Sequence, residues 1–154
     1  MSKGFSIIET MVAVFVLTIG TAGAFALIQQ TINFTSLSSF KLRAAYLAQE
    51  GVEIVRNIRD TNYSELENWD SGLTDCSSGC EADYNDNVLM AYASRALKIS
   101  DGIYSYDSGA DTPFQRKITI SPQSDILDIT VQVIWTERGQ SYDIVVQTKL
   151  YNWR

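Results

Sequence analysis

The chain has 154 residues, which is enough for one domain of ordinary size and an additional helix but not for two full domains. It carries 18 acidic and 12 basic residues, and this net charge of -6 argues against nucleic acid as a partner. It contains no histidine, so the commonest general base and the commonest metal ligand are missing, and an enzyme is the least favoured class.

An apolar segment runs from residue 5 to residue 28 and contains a single charge, Glu9. As a helix it is roughly 36 Å long, which is enough to cross a bilayer core of about 30 Å. A secretory signal peptide is the competing interpretation, but its apolar region is about 7 to 15 residues long and ends at a small-residue cleavage site. Lys3, the only positive charge before the segment, is expected to keep the leader cytoplasmic. The segment therefore predicts one membrane-spanning helix.

The stretch "KGFSIIETMVAVFVLTIG" resembles the signature of type IV prepilins: a short basic leader ending in glycine, a phenylalanine, a glutamate and an unbroken apolar helix. The resemblance implies that a prepilin peptidase cuts between Gly4 and Phe5 and that the new amino group of Phe5 is methylated. It also implies an assembly role for Glu9, whose carboxylate would pair with the N-terminal amine of an adjacent helix. The alternative is a glutamate tolerated near the membrane surface in a simple anchor.

The following stretch "VFVLTIGTAGAFALIQQT" is similar to that of minor pilins and minor pseudopilins. Gly20 and Gly23 would let neighbouring helices approach closely, or would loosen the helix there. Many major pilins have a proline a few residues further on, whereas this chain has Ala26 and its neighbours. The resemblance therefore favours a minor subunit.

Apolar residues recur at steps of three and four beyond the apolar segment, which predicts an amphipathic helix that ends near "RDTN" at about residue 60. We expect a leader at 1–4, a membrane or filament-core helix at 5–30, an amphipathic half at 31–60 and a globular head at 61–154. The apolar face is formed by Phe34, Leu37, Phe40, Ala44, Leu47, Ala48, Ile54, Val55 and Ile58.

Residues 61–87 are polar and predict a long connecting loop. Cys76 and Cys80 are the only cysteines, so with no histidine they cannot complete a zinc site. A local disulfide, which persists only in an oxidising compartment, is the favoured interpretation, and two free thiols are the alternative.

Within the same loop three side chains alternate as at the start of a calcium loop, but the glycine and the distal glutamate of an EF-hand are missing. A solvated acidic loop is the favoured interpretation, and calcium binding is left open. The three residues are Asp83, Asn85 and Asn87.

The last third of the chain predicts strands. "NVLMAYASRALKIS" fits either a helix or a strand, and "DGIYSYDSGADTPF" has the composition of a hairpin or a surface loop. "QRKITIS" alternates, and two more alternating runs follow, joined at "ERGQ" by a tight turn at Gly139. The inward faces of these two runs are Leu127, Ile129, Val131, Val133 and Trp135, then Tyr142, Ile144, Val146, Thr148 and Leu150.

Three such strands make an antiparallel meander that can cover the amphipathic helix. The expected fold class is α+β, a long N-terminal helix packed on a C-terminal antiparallel sheet, and this order also resembles the pilin fold. Five aromatic residues allow a carbohydrate or DNA contact, although packing within the sheet is favoured. They are Trp69, Trp135, Tyr142, Tyr151 and Trp153.

The resemblance implies a structural subunit of a type IV pilus, with a minor pilin favoured and no catalytic residue, cofactor or metal. The alternatives are a pseudopilin of a type II secretion system and a membrane-anchored adhesin or binding module. The implied partners are other pilin subunits, prepilin peptidase and an inner-membrane assembly platform. The protein would cross the inner membrane once before it joins an extracellular pilus or a periplasmic pseudopilus.

Overall fold

The computed structural model describes residue 4 and residues 6–153. The chain divides into two compact units, Met1–Phe40 and Lys41–Arg154, which we treat separately. Helix α1 runs over Ile7–Ser64 and contributes residues to both units.

In the first unit α1 carries its apolar side chains outward, and none of the unit's described residues is buried. Threonine hydroxyls in this part of the helix donate to carbonyls of the preceding turn: Thr18 to Phe15 at 2.8 Å and Thr21 to Leu17 at 2.9 Å. These hydroxyl donors are therefore satisfied within the helix, as an apolar environment requires.

The second unit contains the sheet, whose strands are all antiparallel to their neighbours. Strand β5 lies inside the sheet: β6 pairs with one of its edges, while β1 and β3 share the other, and β2, β4 and β7 are outermost. The strands are β1 Cys80–Glu81, β2 Met90–Ala91, β3 Ala96–Ser100, β4 Ile103–Ser105, β5 Ala110–Gln123, β6 Ile126–Glu137 and β7 Gln140–Tyr151.

Tight hairpins align the three long strands. Arg138 and Gly139 connect β6 to β7 with φ values of 51° and 78°, and positive φ at both positions of a two-residue turn matches the twist of a hairpin. The resulting register places Trp135 opposite Tyr142, and Phe114 of β5 lies on the other side of Trp135. Alternate residues of all three strands therefore face one side.

The core of the second unit lies between that side of the sheet and one face of α1. Gly51 marks the closest approach, because a Cβ atom there would lie 2.8 Å from Val131 and 3.0 Å from Arg116. The buried apolar residues include Ala44, Leu47, Ala48, Val52, Ile54, Val55 and Ile58 of the helix and Phe114, Ile118, Ile120, Leu127, Ile129, Val131, Val133 and Trp135 of the sheet.

The α+β class and the three-stranded meander are confirmed. Two details differ from the sequence predictions: α1 continues to Ser64, and the predicted loop 61–87 contains β1. The two segments before Ala110 that the sequence left open, as helix or strand and as hairpin or loop, supply strands β2, β3 and β4. These strands are only two to five residues long, so alternation had too few positions to identify them.

Candidate functional site

The N-terminal residues form the first part of the candidate site. Gly4 is exposed, and Phe5, the other residue of the predicted cleavage site, lies outside the described residues. Among residue 4 and residues 6–153, the first helical hydrogen bond runs from the Thr10 N–H to the Ser6 carbonyl at 3.1 Å, which places Ser6 at the N-cap of α1.

Glu9 stands in the first turn of α1, where the partial positive charge of the helix N-terminus favours a carboxylate. Ser6 and Glu9 also have the spacing of a capping box, in which the glutamate accepts from the N-cap backbone. The Glu9 side chain is exposed and makes no hydrogen bond or ion pair with any described residue. The described part of this chain therefore does not neutralise its charge.

The helix that carries Glu9 contains a segment long and apolar enough to cross a membrane, and none of that segment is buried. Gly20 and Gly23 belong to it, and a Cβ atom at either position would meet nothing within 4 Å. Packing within the described chain therefore does not require glycine there.

A charged side chain lies in the middle of the apolar face of the sheet. Arg116 is fully buried, and its guanidinium donates to the carbonyls of Leu47 at 3.1 Å and Ala82 at 2.6 Å. Glu50 supplies the countercharge at 3.2 Å. The alternation of the sequence predicts that residue 116 faces inward. Its partners Leu47 and Ala82 could not be predicted, because they are far from Arg116 along the chain.

A second set of polar side chains holds β1 and the segment around Tyr106. Buried Glu81 pairs with Arg95, whose guanidinium lies 4.4 Å from the centre of the Tyr106 ring. Asp83, also buried, accepts the N–H of Tyr106 at 2.9 Å. Burial is the main cause that raises the pKa of Tyr106, to about 12.

The prediction of a solvated acidic loop is therefore wrong for Glu81 and Asp83, because both carboxylates are buried and hydrogen bonded within the head. Asn85 and Asn87, the other two members of the alternating pattern, are exposed. Over the described residues, no three acidic or cysteine side chains are placed to hold a metal ion together.

Cys76 and Cys80 are joined as a disulfide, with Cα atoms 5.3 Å apart. The Cys76 carbonyl accepts the N–H of Ile120 at 3.1 Å, and Cys80 pairs with Ile118 in β5. The bridged loop thus lies along an edge of the central strand, and both cysteines are buried.

The predicted aromatic set does not form one surface. Trp135 is buried and stacks on Tyr142, with ring centres 5.6 Å apart, while exposed Trp153 packs against Tyr63. Tyr151 pairs with Ile126 of β6. Ile126 and Trp135 are nine residues apart in that strand, so Tyr151 lies about 30 Å from Trp135. Trp135 therefore belongs to the core.

No curated protein sequence and no solved structure matches the chain. Residues 1–25 match the family model of the prokaryotic N-terminal methylation motif. That motif implies processing by a peptidase and assembly with pilins, and with the apolar helix it indicates membrane anchoring before assembly. The N-terminus of this chain thus carries the prepilin signature of type IV pilins.

Proposed function

We propose that this protein is a structural, non-enzymatic subunit of a type IV pilus, cleaved between Gly4 and Phe5, methylated on Phe5 and assembled through its N-terminal helix. The observation that carries the proposal is Glu9, an exposed carboxylate without a described partner in the first turn of an apolar helix inside the matched motif.

The carboxylate of Glu9 carries a free-energy cost in an apolar membrane helix. A charge at the centre of a membrane helix costs roughly 2.5 to 3.5 kcal/mol on insertion scales, and a position near the helix end reduces the cost. Pairing with the N-terminal amine of an adjacent subunit would offset it, because two charges that are separately expensive in an apolar bundle then share hydrogen bonds. Glu9 would thereby set the register of the incoming subunit.

The side chains around Glu9 support close helix packing. At about 100° per residue, Ala13, Gly20 and Ala24 lie within about 60° of Glu9 to one side of it around the helix axis, while Val12 and Val16 lie to the other side and Leu27 lies in line with it. Small residues on one side of an apolar helix let a second backbone approach closely. Because nothing in the described chain packs on Gly20, an adjacent subunit is the partner that we propose for this side.

A pseudopilin of a type II secretion system would use the same helix, and we retain it as the second candidate. The sequence of residues 14–31 favours a minor subunit. A simple anchored adhesin is less favoured because it needs neither glycine before Phe5 nor a carboxylate at position 9.

Intact mass measurement of the protein from producing cells tests processing. We expect a chain that begins with methylated Phe5, and we expect Gly4→Ala to leave the leader attached. A mature protein that still begins at Met1 or Ser2, or normal cleavage of Gly4→Ala, would contradict the proposal.

Recovery in sheared surface fibres tests assembly. Glu9→Val should be cleaved normally but lost from fibres, whereas Thr10→Val, a change of similar shape on the next residue, should be retained. Normal recovery of Glu9→Val would exclude the assembly role. The copy number in the same fibres separates a minor from a major subunit.

A further inference from the structure

Helix α1 begins shortly after the proposed cleavage site. Its first residue is Ile7, and both Gly4 and Ser6 lie outside the helix and are exposed. A helix that began earlier would bond the Gly4 carbonyl to the N–H of Ile8, and this hydrogen bond is not formed. The Gly4 carbonyl, which belongs to the bond to be cut, therefore accepts no backbone hydrogen bond from a described residue.

Ser6 occupies the N-cap, the position at which the helix begins. Its carbonyl accepts the N–H of Thr10 at 3.1 Å. Serine is among the residues preferred at an N-cap, because its hydroxyl can accept an N–H of the first turn. The N–H of Ile8 donates to no described backbone carbonyl and is available for that contact.

The residues before Ser6 offer competing starts for the helix. Gly4 and Ser2 are also of types that cap helices. With either of them as the N-cap, the Gly4 carbonyl would accept the N–H of Ile8 as part of the helix. The strength of the cap at Ser6 therefore affects how often the Gly4 carbonyl is free.

Cleavage requires access to that carbonyl. Hydrolysis adds the hydroxyl of a water molecule to the Gly4 carbonyl carbon, breaks the bond to the nitrogen of Phe5 and leaves the proton on that nitrogen. The carbonyl oxygen gains negative charge in the transition state and needs donors supplied by the enzyme. In a helix the same oxygen points along the axis at its own N–H donor, so an earlier helix start would withhold it from the enzyme.

We propose that Ser6 is a positioning residue for cleavage, because as the N-cap of α1 it keeps the Gly4–Phe5 bond outside the helix. The inference rests on the proposed function. The independent evidence for a peptidase as the partner is the match of residues 1–25 to the N-terminal methylation motif, which implies processing. Recognition would then depend on where the helix begins as well as on the residues on either side of the cut.

The test measures kcat and KM for cleavage of the full-length, detergent-solubilised protein by a prepilin peptidase. Ser6→Ala should lower kcat/KM by about fivefold, which corresponds to the typical cap contribution of about 1 kcal/mol. The loss should appear mainly as a higher KM, since only molecules with a free carbonyl bind productively.

Two further substitutions separate capping from direct recognition of the hydroxyl. Ser6→Asn and Ser6→Gly lack the hydroxyl but keep a residue that can cap, so kcat/KM should stay within about twofold of the unmodified protein. Ser38→Ala makes the alanine change at an exposed position further along the same helix and should have no effect. Carbon chemical shifts of Gly4 in the same micelles should move toward helical values in Ser6→Ala and stay unchanged in Ser6→Asn.

The outcomes separate the two proposals. Unchanged kcat/KM for Ser6→Ala, an equal loss in the alanine, asparagine and glycine variants, or unchanged Gly4 shifts in Ser6→Ala would overturn the positioning role and leave the proposed function intact. If the unmodified protein is not cleaved after Gly4, the proposed function fails and this role fails with it.

Discussion

The guanidinium of Arg116 lies 3.2 Å from the carboxylate of Glu50, which joins the central strand of the sheet to the helix through a charge pair. The arginine side chain is fully buried, whereas that of Glu50 is 33% exposed. Two backbone carbonyls, of Leu47 and Ala82, share the cation with Glu50. The buried charge therefore has two carbonyl acceptors and one countercharge, and these offset part of its loss of hydration.

We expect Arg116→Met to destabilise the head by about 3 kcal/mol, because it leaves two carbonyls without their donor and a partly buried carboxylate without its countercharge. Glu50→Gln should cost less, about 1 kcal/mol, since it removes only the countercharge, leaves both carbonyl acceptors in place and lies at a partly solvated site. Urea unfolding of the detergent-solubilised protein, followed by tryptophan fluorescence, measures both. The reverse order of the two losses would contradict this account of the pair.

Gly51→Ala should destabilise the head by about 1 to 3 kcal/mol, although alanine is the better helix former. The added Cβ would lie 2.8 Å from the Val131 side chain, so the helix would have to move away from the sheet. Asn57→Ala, at an exposed position of the same helix, is the control and should be neutral or slightly stabilising. Equal urea midpoints for the two variants would show that the contact at Gly51 tolerates a methyl group.

Stability should fall between pH 10 and pH 12 because of Tyr106. Burial raises its pKa to about 12 in the folded head, so the unfolded chain loses the phenol proton first, and alkaline pH favours the unfolded state. The protonated Tyr106 phenol therefore contributes about 3 kcal/mol to the free energy of unfolding, which is fully present below pH 10 and is lost as the pH rises to about 12. Tyr106→Phe should remove this part of the pH dependence. Parallel stability curves for the two proteins across this range would rule out the effect.

Reduction of the disulfide should cost about 2 kcal/mol, the chain-entropy value for a loop of this length. The double variant Cys76→Ser, Cys80→Ser should lose a similar amount, and a reducing agent should then have no further effect on it. Hydrogen exchange should report the change first at Ile120, whose N–H donates to the Cys76 carbonyl. Unchanged exchange at Ile120 on reduction would mean that the bridge does not hold the loop on β5.

The long elements could be predicted because their patterns extend over many positions. Residues 127–135 and 142–150 alternate over nine positions each, and the structure buries the predicted inward residues of the first run and turns those of the second toward the same side. The apolar helix was equally clear from its length. The resemblance assigns an assembly role to Glu9, and the capping-box spacing of Ser6 and Glu9 is a further local signal in the sequence.

The polar interior could not be predicted because its partners are far apart in the chain. Arg116 meets a carbonyl 69 residues away, and Asp83 accepts an N–H 23 residues away. No local pattern encodes such pairs. The burial of Asn62 could not be predicted for a related reason: Asn62 belongs to the predicted turn at the helix end, and its burial depends on how residues 69–71 fold back over it.

Strands β1 and β3 pair with the same edge of β5. This arrangement affects which residues of the head can change in evolution. The segment between the helix and β5 pairs with that single edge through backbone hydrogen bonds and buries Leu73, Ala82 and Leu97, while its exposed side chains take no part in either, and β6 and β7 pair on the other side. Backbone pairing places few demands on side-chain identity. Exposed residues of this segment can therefore change between relatives, and with them what the head presents to its surroundings, while the scaffold of helix and three long strands stays the same.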